Sequence, residues 1–227
     1  MDMQNHIVKS FDEEIEHLKS EIITMAKACS SQLEKSVIAL HRMDKDLAAK
    51  VVKDDRKIND FQREIEDNAV RYLAKRQPMA IDLRYLLSAM KISYELERVG
   101  DNAENIAAAV RSMAETISSE AIDSIVDMAG ICKIMLHDLI DAFSELDTDK
   151  SIAVWKRDTD INARFLQVKS LVVQEAQANG GCFLHDGYQL IHMARCCERV
   201  GDHLKNIAED IHYIATGDPD IRQAMNS

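Results

Sequence analysis

The chain contains an internal repeat, and this repeat constrains the fold more than any other feature of the sequence. The segment Glu97–Asp101 reads Glu-Arg-Val-Gly-Asp, and the same residues return at Glu198–Asp202. Each copy is followed, after three variable residues, by Asn-Ile-Ala, at Asn105–Ala107 and at Asn206–Ala208. The offset of 101 residues is nearly half of the 227-residue chain, so the protein consists of two sequence-related halves.

The repeat extends into the segments that precede these motifs. At an offset of 103 residues, the residues shared by the two halves are Ala39, Asp44, Asp46, Val51, Lys53, Asp55, Ile58 and Asn59, which equal Ala142, Asp147, Asp149, Val154, Lys156, Asp158, Ile161 and Asn162. The offset changes within a turn, where changes of length are tolerated. We therefore expect the architecture of one half to recur in the other.

The composition predicts an all-α protein. Only seven Gly and two Pro occur, so the chain has few turns and its elements must be few and long. Apolar residues at helical spacing, such as Leu18, Ile22, Met25 and Cys29, indicate amphipathic helices. The predicted helices run approximately over Ile7–Arg42, Asp44–Arg76 and Ile81–Met113 in the first half, and over Glu120–Leu146, Asp149–Ala178 and Leu184–Thr216 in the second.

Short turns are expected to join these helices. Asp44 or Asp46 caps the second helix, and Pro78 ends it because proline cannot continue a helix. Gly180 and Gly181 mark the corresponding turn in the second half. About 100 residues suffice for one core. We predict two tandem, sequence-related antiparallel three-helix bundles, over residues 7–115 and 118–217, and one continuous six-helix array is the alternative.

Charge and cysteine content exclude several classes of function. A formal net charge of −11 argues against non-specific nucleic-acid binding, since no surplus of Lys and Arg exists to neutralise phosphates. No Cys-x-x-Cys pair occurs, so we expect reduced, mostly buried thiols rather than a zinc site or a disulfide framework. The start of the chain lacks the pattern of a signal peptide, and no apolar run approaches about 18 residues, so a cytoplasmic protein without a membrane span is expected. The cysteines are Cys29, Cys132, Cys182, Cys196 and Cys197.

Each half places acidic residues where they repel each other. Glu97 and Asp101 are four residues apart on a helix, and like charges at this spacing cost roughly 0.2–0.5 kcal/mol. They lie about 100° and 140° from the centre of the apolar stripe, on one shoulder of the third helix. Asp55 and Asn59 lie on the same-signed shoulder of the second helix, and Pro78 is midway between the two pairs along the chain. The hairpin is therefore expected to bring both pairs level across one groove.

The second half repeats this arrangement, and a duplicated repulsion suggests a positive partner in each groove. The candidate ligands are Asp55, Asn59, Glu97, Asp101, Asp158, Asn162, Glu198 and Asp202. Oxygen ligands suit hard cations such as Mg²⁺, Mn²⁺, Ca²⁺ or Fe³⁺, and not a structural zinc. The alternative is a salt-bridge lattice with the basic residues Arg98, Arg199, Lys53, Lys156, Arg56 and Arg63.

A glycine lies in the middle of each predicted third helix. Gly100 and Gly201 each cost about 1 kcal/mol relative to alanine at such a position. Close contact between helices is one reason for glycine here, and room for a bound group beside the acids is the other.

Two segments carry a resemblance to a known family. The run Arg76–Arg84 followed by Leu96–Asp101 closely resembles the PhoU family of accessory proteins of phosphate-specific transport, and Glu198–His203 with Asn206–Glu209 resembles that family's second repeat. The resemblance implies two three-helix bundles and no enzymatic activity. It also implies that the protein restrains phosphate-starvation signalling when phosphate is plentiful. The implied partners are a phosphate sensor histidine kinase, the ATPase subunit of the phosphate ABC transporter and a second copy of the chain, with the membrane reached only through partners.

Some members of that family bind metal ions through Glu/Asp-x-x-x-Asp motifs. The resemblance places these motifs at Glu97 with Asp101 and at Glu198 with Asp202, and it places Asp55 and Asp158 on the facing helices. The implied cofactor is an oxygen-ligated divalent or ferric cation, namely Mg, Mn or Fe. The chain departs from the fullest form of the motif, because its facing helices carry Asn59 and Asn162 in place of a second aspartate. The lost charge weakens cation binding.

The alternatives to a regulatory adaptor are a metal-binding helical protein and an inert helical spacer. A metal-binding helical protein with a storage or catalytic role would use the same acids, but a carboxylate-bridged dimetal enzyme needs Glu-x-x-His motifs that neither repeat motif contains. No Walker-type Gly-Lys-Ser/Thr sequence occurs either. An inert helical spacer would not need two acidic grooves. A non-enzymatic regulator of phosphate uptake accounts for all of these features.

Overall fold

The protein is helical throughout the part of the chain that the structure describes. The structure is a computed structural model that describes residues 2–114, 120–179 and 183–225, and those residues contain no strand. The helices are α1 (Asp2–Arg42), α2 (Lys45–Asp54), α3 (Arg56–Arg76), α4 (Ile81–Ser112), α5 (Glu120–Glu145), α6 (Thr148–Asn179), α7 (Leu184–Thr216) and α8 (Ile221–Ala224). The all-α prediction is confirmed, and the bounds of α7 agree with the predicted ones.

The structure departs from the predicted helices in two places. The predicted second helix is interrupted at Asp55, which separates α2 from α3. The backbone at Asp55 stays right-handed, and Ile58 N–H donates to the Asp55 carbonyl in an i+3 bond of 2.8 Å, so one turn tightens without a change of direction. The short helix α8 was not predicted. The predicted turn at Gly180 and Gly181 lies outside the described residues, as do Cys182 and residues 115–119 between the halves.

Matching backbone details begin and end the helices of the two halves. Asp44 accepts a hydrogen bond from Leu47 N–H at 2.8 Å and caps α2, as one of the two predicted capping residues. Asp147 accepts bonds from two backbone N–H groups at the start of α6. Just before these caps, Met43 and Leu146 have φ angles of 50° and 52°. The repeat in sequence is therefore also a repeat in conformation.

The predicted apolar stripes form the core. Leu18, Met25 and Leu33 of α1 are fully buried, and Leu96 and Val99 of α4 are at most 1% exposed. The other predicted stripe residues of α4 are also buried, namely Ala89, Ile92, Ala103, Ala107 and Val110. Four described cysteines are buried and free, as predicted, and they are Cys29, Cys132, Cys196 and Cys197.

The two halves pack against each other along one contiguous core. Helix α4 lies against α7, and α1 lies against α5, so each half contributes two helices to the junction. Tyr85 and Phe143 stack across it with ring centroids 5.8 Å apart. Ile22, Leu136 and Ile207 belong to the same cluster of buried side chains. Each repeat keeps its own three-helix order, while the apolar interior continues from one repeat into the next.

Candidate metal centre

The first acid cluster is built around Asp55, at the junction of α2 and α3. Asp55 is only 6% exposed, although the helical pattern placed it on the edge of a groove. Gln32 of α1 donates from Nε2 to Asp55 Oδ1 at 2.8 Å, and Asn59 donates from Nδ2 to Asp55 Oδ2 at 3.3 Å. Two amide groups therefore stabilise this buried carboxylate, and neither of them is charged.

Helix α4 brings two further carboxylates to Asp55. One oxygen from each of Asp55, Asp101 and Glu104 lies within 4.8 Å of the other two. Asp101 is a predicted ligand, and Glu104 was missed. Glu104 lies about 80° from the centre of the α4 apolar stripe, between that centre and Glu97, so the same helical-wheel argument would have identified it. Gln32 was also missed, and nothing in the repeat motifs points to α1.

A basic residue occupies one edge of this cluster. Arg98 donates from Nη1 to Asp101 Oδ2 at 2.9 Å, and its Nε lies 3.4 Å from Glu97 Oε2. The predicted salt-bridge lattice is thus present in part. It leaves two buried oxygens, Glu97 Oε2 and Asn59 Oδ1, without a hydrogen-bond partner among the described residues. Buried acceptors of this kind are uncommon in proteins, and a bound cation would satisfy them.

Burial and the neighbouring acids raise the pKa values of three acids of the first cluster, even with Arg98 at its edge. Burial, opposed by Gln32, raises the pKa of Asp55, and Asp101 raises it further. Burial and the Asp101 carboxylate raise the pKa of Glu97. Burial raises the pKa of Glu104, with Asp55 and Asp101 adding to the effect. Three neighbouring carboxylates, with the buried Asn59 Oδ1 lacking a hydrogen-bond partner among the described residues, form an oxygen-rich donor set that fits a hard cation.

The second acid cluster has a different composition. Asp158 is 3% exposed, and it accepts a hydrogen bond from Asn162 Nδ2 at 3.0 Å. Glu198 accepts a bond from Arg195 Nη1 at 2.8 Å, and Asp202 is exposed. Lys205 of α7 places its Nζ 3.7 Å from Asp158 Oδ2. The second cluster thus has a lysine beside its buried aspartate, and among the described residues no three of its acidic side chains place oxygens within 4.8 Å of one another.

Both mid-helix glycines permit close contact with the preceding helix. A Cβ on Gly100 would lie 2.9 Å from Ile58 Cδ1 and 3.4 Å from Asp55 Oδ1. A Cβ on Gly201 would lie 2.8 Å from Ile161 Cδ1 and 3.0 Å from Asp158 Oδ1. The glycines therefore let the buried aspartate and an isoleucine approach the helix backbone. Close helix contact, one of the two predicted reasons, accounts for them.

A separate groove of about 840 Å³ runs along the junction of α4 and α7. None of the predicted ligands lines it. Its ionic contacts include His203 Nδ1 with Glu95 Oε2 at 2.6 Å and Lys91 Nζ with Asp210 at 3.6 Å. Each of these pairs joins one repeat to the other. The groove is therefore a feature of the repeat junction and not part of either acid cluster.

Comparison with known proteins follows the same division into halves. The profile of the PhoU domain matches residues 22–110 and again residues 125–211. The chain belongs to the PhoU family. A phosphate-specific transport system accessory protein PhoU homolog of Caulobacter vibrioides is 37% identical over 221 residues, which cover 95% of this chain and 94% of the relative. The phosphate-specific transport system accessory protein PhoU of Escherichia coli K12 is 30% identical over 224 residues, which cover 96% of this chain and 90% of the relative.

Solved structures of the family have the same fold. The crystal structure of PhoU from Pseudomonas aeruginosa has a TM-score of 0.86 and 30% sequence identity, and it covers 92% of this chain and all of its own (100%). The phosphate transport system regulatory protein PhoU from Streptococcus pneumoniae also has a TM-score of 0.86, at 28% identity. The two tandem three-helix repeats are thus those of the family. Within the described part of the chain, none of the helices combines the length and apolarity that crossing a bilayer requires.

Proposed function

We propose that this chain is a non-enzymatic accessory protein that regulates phosphate uptake. The observation that carries this proposal is the match of both repeats, over nearly the whole chain, to accessory and regulatory proteins of phosphate transport. The chemistry beside the first cluster supports a role without catalysis. Cys29 is buried there and donates from Sγ to the Leu96 carbonyl at 3.2 Å. Burial and the Asp55 charge raise the pKa of this thiol, so it is not an activated nucleophile.

The finer proposal is that the protein acts as an adaptor at the phosphate transporter. It contacts the ATPase subunit of the transporter and the phosphate sensor histidine kinase, and it restrains the starvation response when phosphate is plentiful. Each chain consists of two bundles, divided near residues 115–118, and two chains form a homodimer. The protein works in the cytoplasm and reaches the membrane through these partners. The resemblance to the PhoU family supports this assignment.

A reporter of phosphate-starvation genes tests the regulatory role. Deleting the gene from its host should raise reporter expression in phosphate-rich medium, and a plasmid copy should restore repression. Deleting the sensor kinase as well should abolish the rise, because the kinase is the component released from restraint. An unchanged reporter in the single deletion, with transporter and kinase intact, would contradict the proposal. Affinity purification from phosphate-replete cells tests the partners, and absence of both named proteins would refute the adaptor role.

We further propose that the first acid cluster binds an oxygen-ligated cation, Mg²⁺, Mn²⁺ or an iron ion. Asp55, Asp101 and Glu104 would hold it. Glu97 and Asn59 are the other two predicted ligands of this half, and Asn59 Oδ1 is buried without a hydrogen-bond partner among the described residues. The bound ion would supply the positive charge that the buried carboxylates lack. It would also link α4 to the junction of α2 and α3. The second predicted set differs from the first, because the ammonium group of Lys205 already lies beside Asp158. Its members are Asp158, Asn162, Glu198 and Asp202.

A further inference from the structure

The two acid clusters differ at one position that the repeat makes equivalent. Glu104 lies three residues after Asp101 on α4, and Lys205 lies three residues after Asp202 on α7. The offset of 101 residues that relates the two motifs therefore pairs Glu104 with Lys205. The first cluster has its third carboxylate at this position, and the second has an ammonium group.

The ammonium group of Lys205 is held from two sides. Its Nζ lies 3.7 Å from Asp158 Oδ2 and 4.4 Å from the centre of the Trp155 ring. The Trp155 Nε1 group donates to Glu209 Oε1 at 2.8 Å, which fixes the ring. A cation over an indole face and beside a carboxylate is attracted to both. The lysine side chain is only 30% exposed in this position.

Two further differences between the repeats accompany this lysine. At the offset of 103, Trp155 corresponds to Val52, which has no ring face to hold an ammonium group. Gln32, which donates to Asp55 in the first cluster, corresponds to Met135, whose thioether cannot donate a hydrogen bond. The second cluster has therefore lost an amide donor and gained a charged partner with an aromatic support.

The buried carboxylate of the second cluster depends on that partner. Asp158 Oδ1 accepts no hydrogen bond from the described residues, and Oδ2 has Asn162 and Lys205 beside it. Removing the charged partner of a buried carboxylate is strongly destabilising, because it leaves the charge uncompensated. Lys205 thus gives Asp158 a charged partner, whereas the equivalent Asp55 is held by the neutral amides of Gln32 and Asn59.

We propose that Lys205 is the built-in cation of the second cluster, so that each chain binds one exchangeable divalent cation, in the first cluster alone. A second ion would compete with the ammonium group for the Asp158 oxygens and would be repelled by it. This inference rests on the proposed cation binding of the first cluster. It further states which repeat responds to cations and names Glu104 and Lys205 as the residues that decide this.

Counting bound Mn²⁺ tests the inference directly. Electron paramagnetic resonance measures free Mn²⁺ during a titration of the metal-stripped protein, and the bound number follows. The wild type should bind one ion per chain, Lys205→Glu should bind two, and Glu104→Lys should bind none. Lys205→Arg keeps the charge and should bind one. Two equivalent ions in the wild type, or one in Lys205→Glu, would overturn the assignment while leaving cation binding by the family fold intact.

Melting in EDTA provides a second measurement that does not depend on metal. Lys205→Met should lower the melting temperature by roughly 5 °C or more, because Asp158 loses its charged partner. Glu104→Gln should raise it, because a repelling acid is removed. Equal melting temperatures of Lys205→Met and wild type would show that Lys205 neutralises nothing. If the wild type binds no Mn²⁺, the proposed cation function fails, and the EDTA melts alone then decide the role of Lys205.

Discussion

Asp101→Asn separates cation binding from a salt-bridge lattice, because the two interpretations predict different responses to a chelator. The substitution keeps the size of the side chain and removes one charge from the first cluster. In EDTA no metal ion is bound, and Arg98 alone faces Asp101, so removing the Asp101 charge relieves its repulsion with Asp55 and Glu104. With a cation present the same substitution removes a ligand. The variant should therefore melt above the wild type in EDTA and below it in saturating Mn²⁺.

The geometry sets the size of the effect. Asp101 has an oxygen within 4.8 Å of oxygens of both Asp55 and Glu104. At an effective dielectric constant near 20 each pair repels by about 3 kcal/mol, and partial exposure reduces this toward about 1 kcal/mol. Loss of the partly exposed ion pair with Arg98 costs at most about 1 kcal/mol. The net gain in EDTA is then about 1–2 kcal/mol, or roughly 2–8 °C in melting temperature.

Cation binding reverses this order by mass action. At a free Mn²⁺ concentration about 100 times the dissociation constant, the wild type gains about 2.7 kcal/mol of stability, and the variant gains much less. Thermal melts by circular dichroism, with EDTA and with Mn²⁺, measure both effects. Asp67→Asn, an exposed acid on α3, is the matched control and should respond equally in both conditions. A wild type that does not respond to Mn²⁺, with a variant that melts lower in EDTA, would refute the reasoning and favour the salt-bridge lattice.

Three further predictions concern the rest of the fold. Burial raises the pKa of Asp210 to about 6, so its ionisation costs stability as pH rises from about 4 to 6. Asp210→Asn should abolish up to about 3 kcal/mol of this loss, and urea unfolding at pH 4 and pH 7.5 measures it. Gly217→Ala should lower the free energy of unfolding by about 1–2 kcal/mol, because the φ of Gly217 is +81° and a Cβ would meet the Arg84 guanidinium. Gly130→Ala is the control and should not be destabilised in thermal melts, because no atom lies within 4 Å of the new Cβ. Ala80→Gly should raise stability by about 0.5–1 kcal/mol, because Ala80 is exposed and has a φ of 53°, and an unchanged or lower melting temperature would contradict this.

Much of the fold followed from local physical rules. Few glycines and prolines required long helices, and the 3.6-residue period identified the buried faces, such as that of Leu96. Counting residues on either side of Pro78 placed Asp55 opposite Asp101, and the structure brings these two carboxylates together. Such predictions succeed because helix geometry and hairpin symmetry depend only on spacing. The repeat tested them twice within one chain.

The composition of the site required information that spacing alone does not contain. Gln32 lies on α1, and its contact with Asp55 depends on how α1 rotates against the hairpin, which is decided by packing of the whole core. The burial of Asp55 follows from the same packing. Glu104 and Lys205 were different, because aligning the two repeats residue by residue would have shown the exchange of an acid for a base. A duplicated sequence is therefore most informative where its copies disagree.

The two repeats stabilise their buried aspartates in different ways. Both copies bury an aspartate against a helix at a glycine, and both raise its pKa through burial. The second copy neutralises its aspartate with Lys205, which is part of the chain and is always present. The first copy stabilises Asp55 with neutral amides and places two more acids beside it, and this is where we propose that a cation binds. Duplication has therefore left two copies with different electrostatics: Asp158 has a charged partner within the chain, whereas Asp55 has two neutral amides and two further acids beside it.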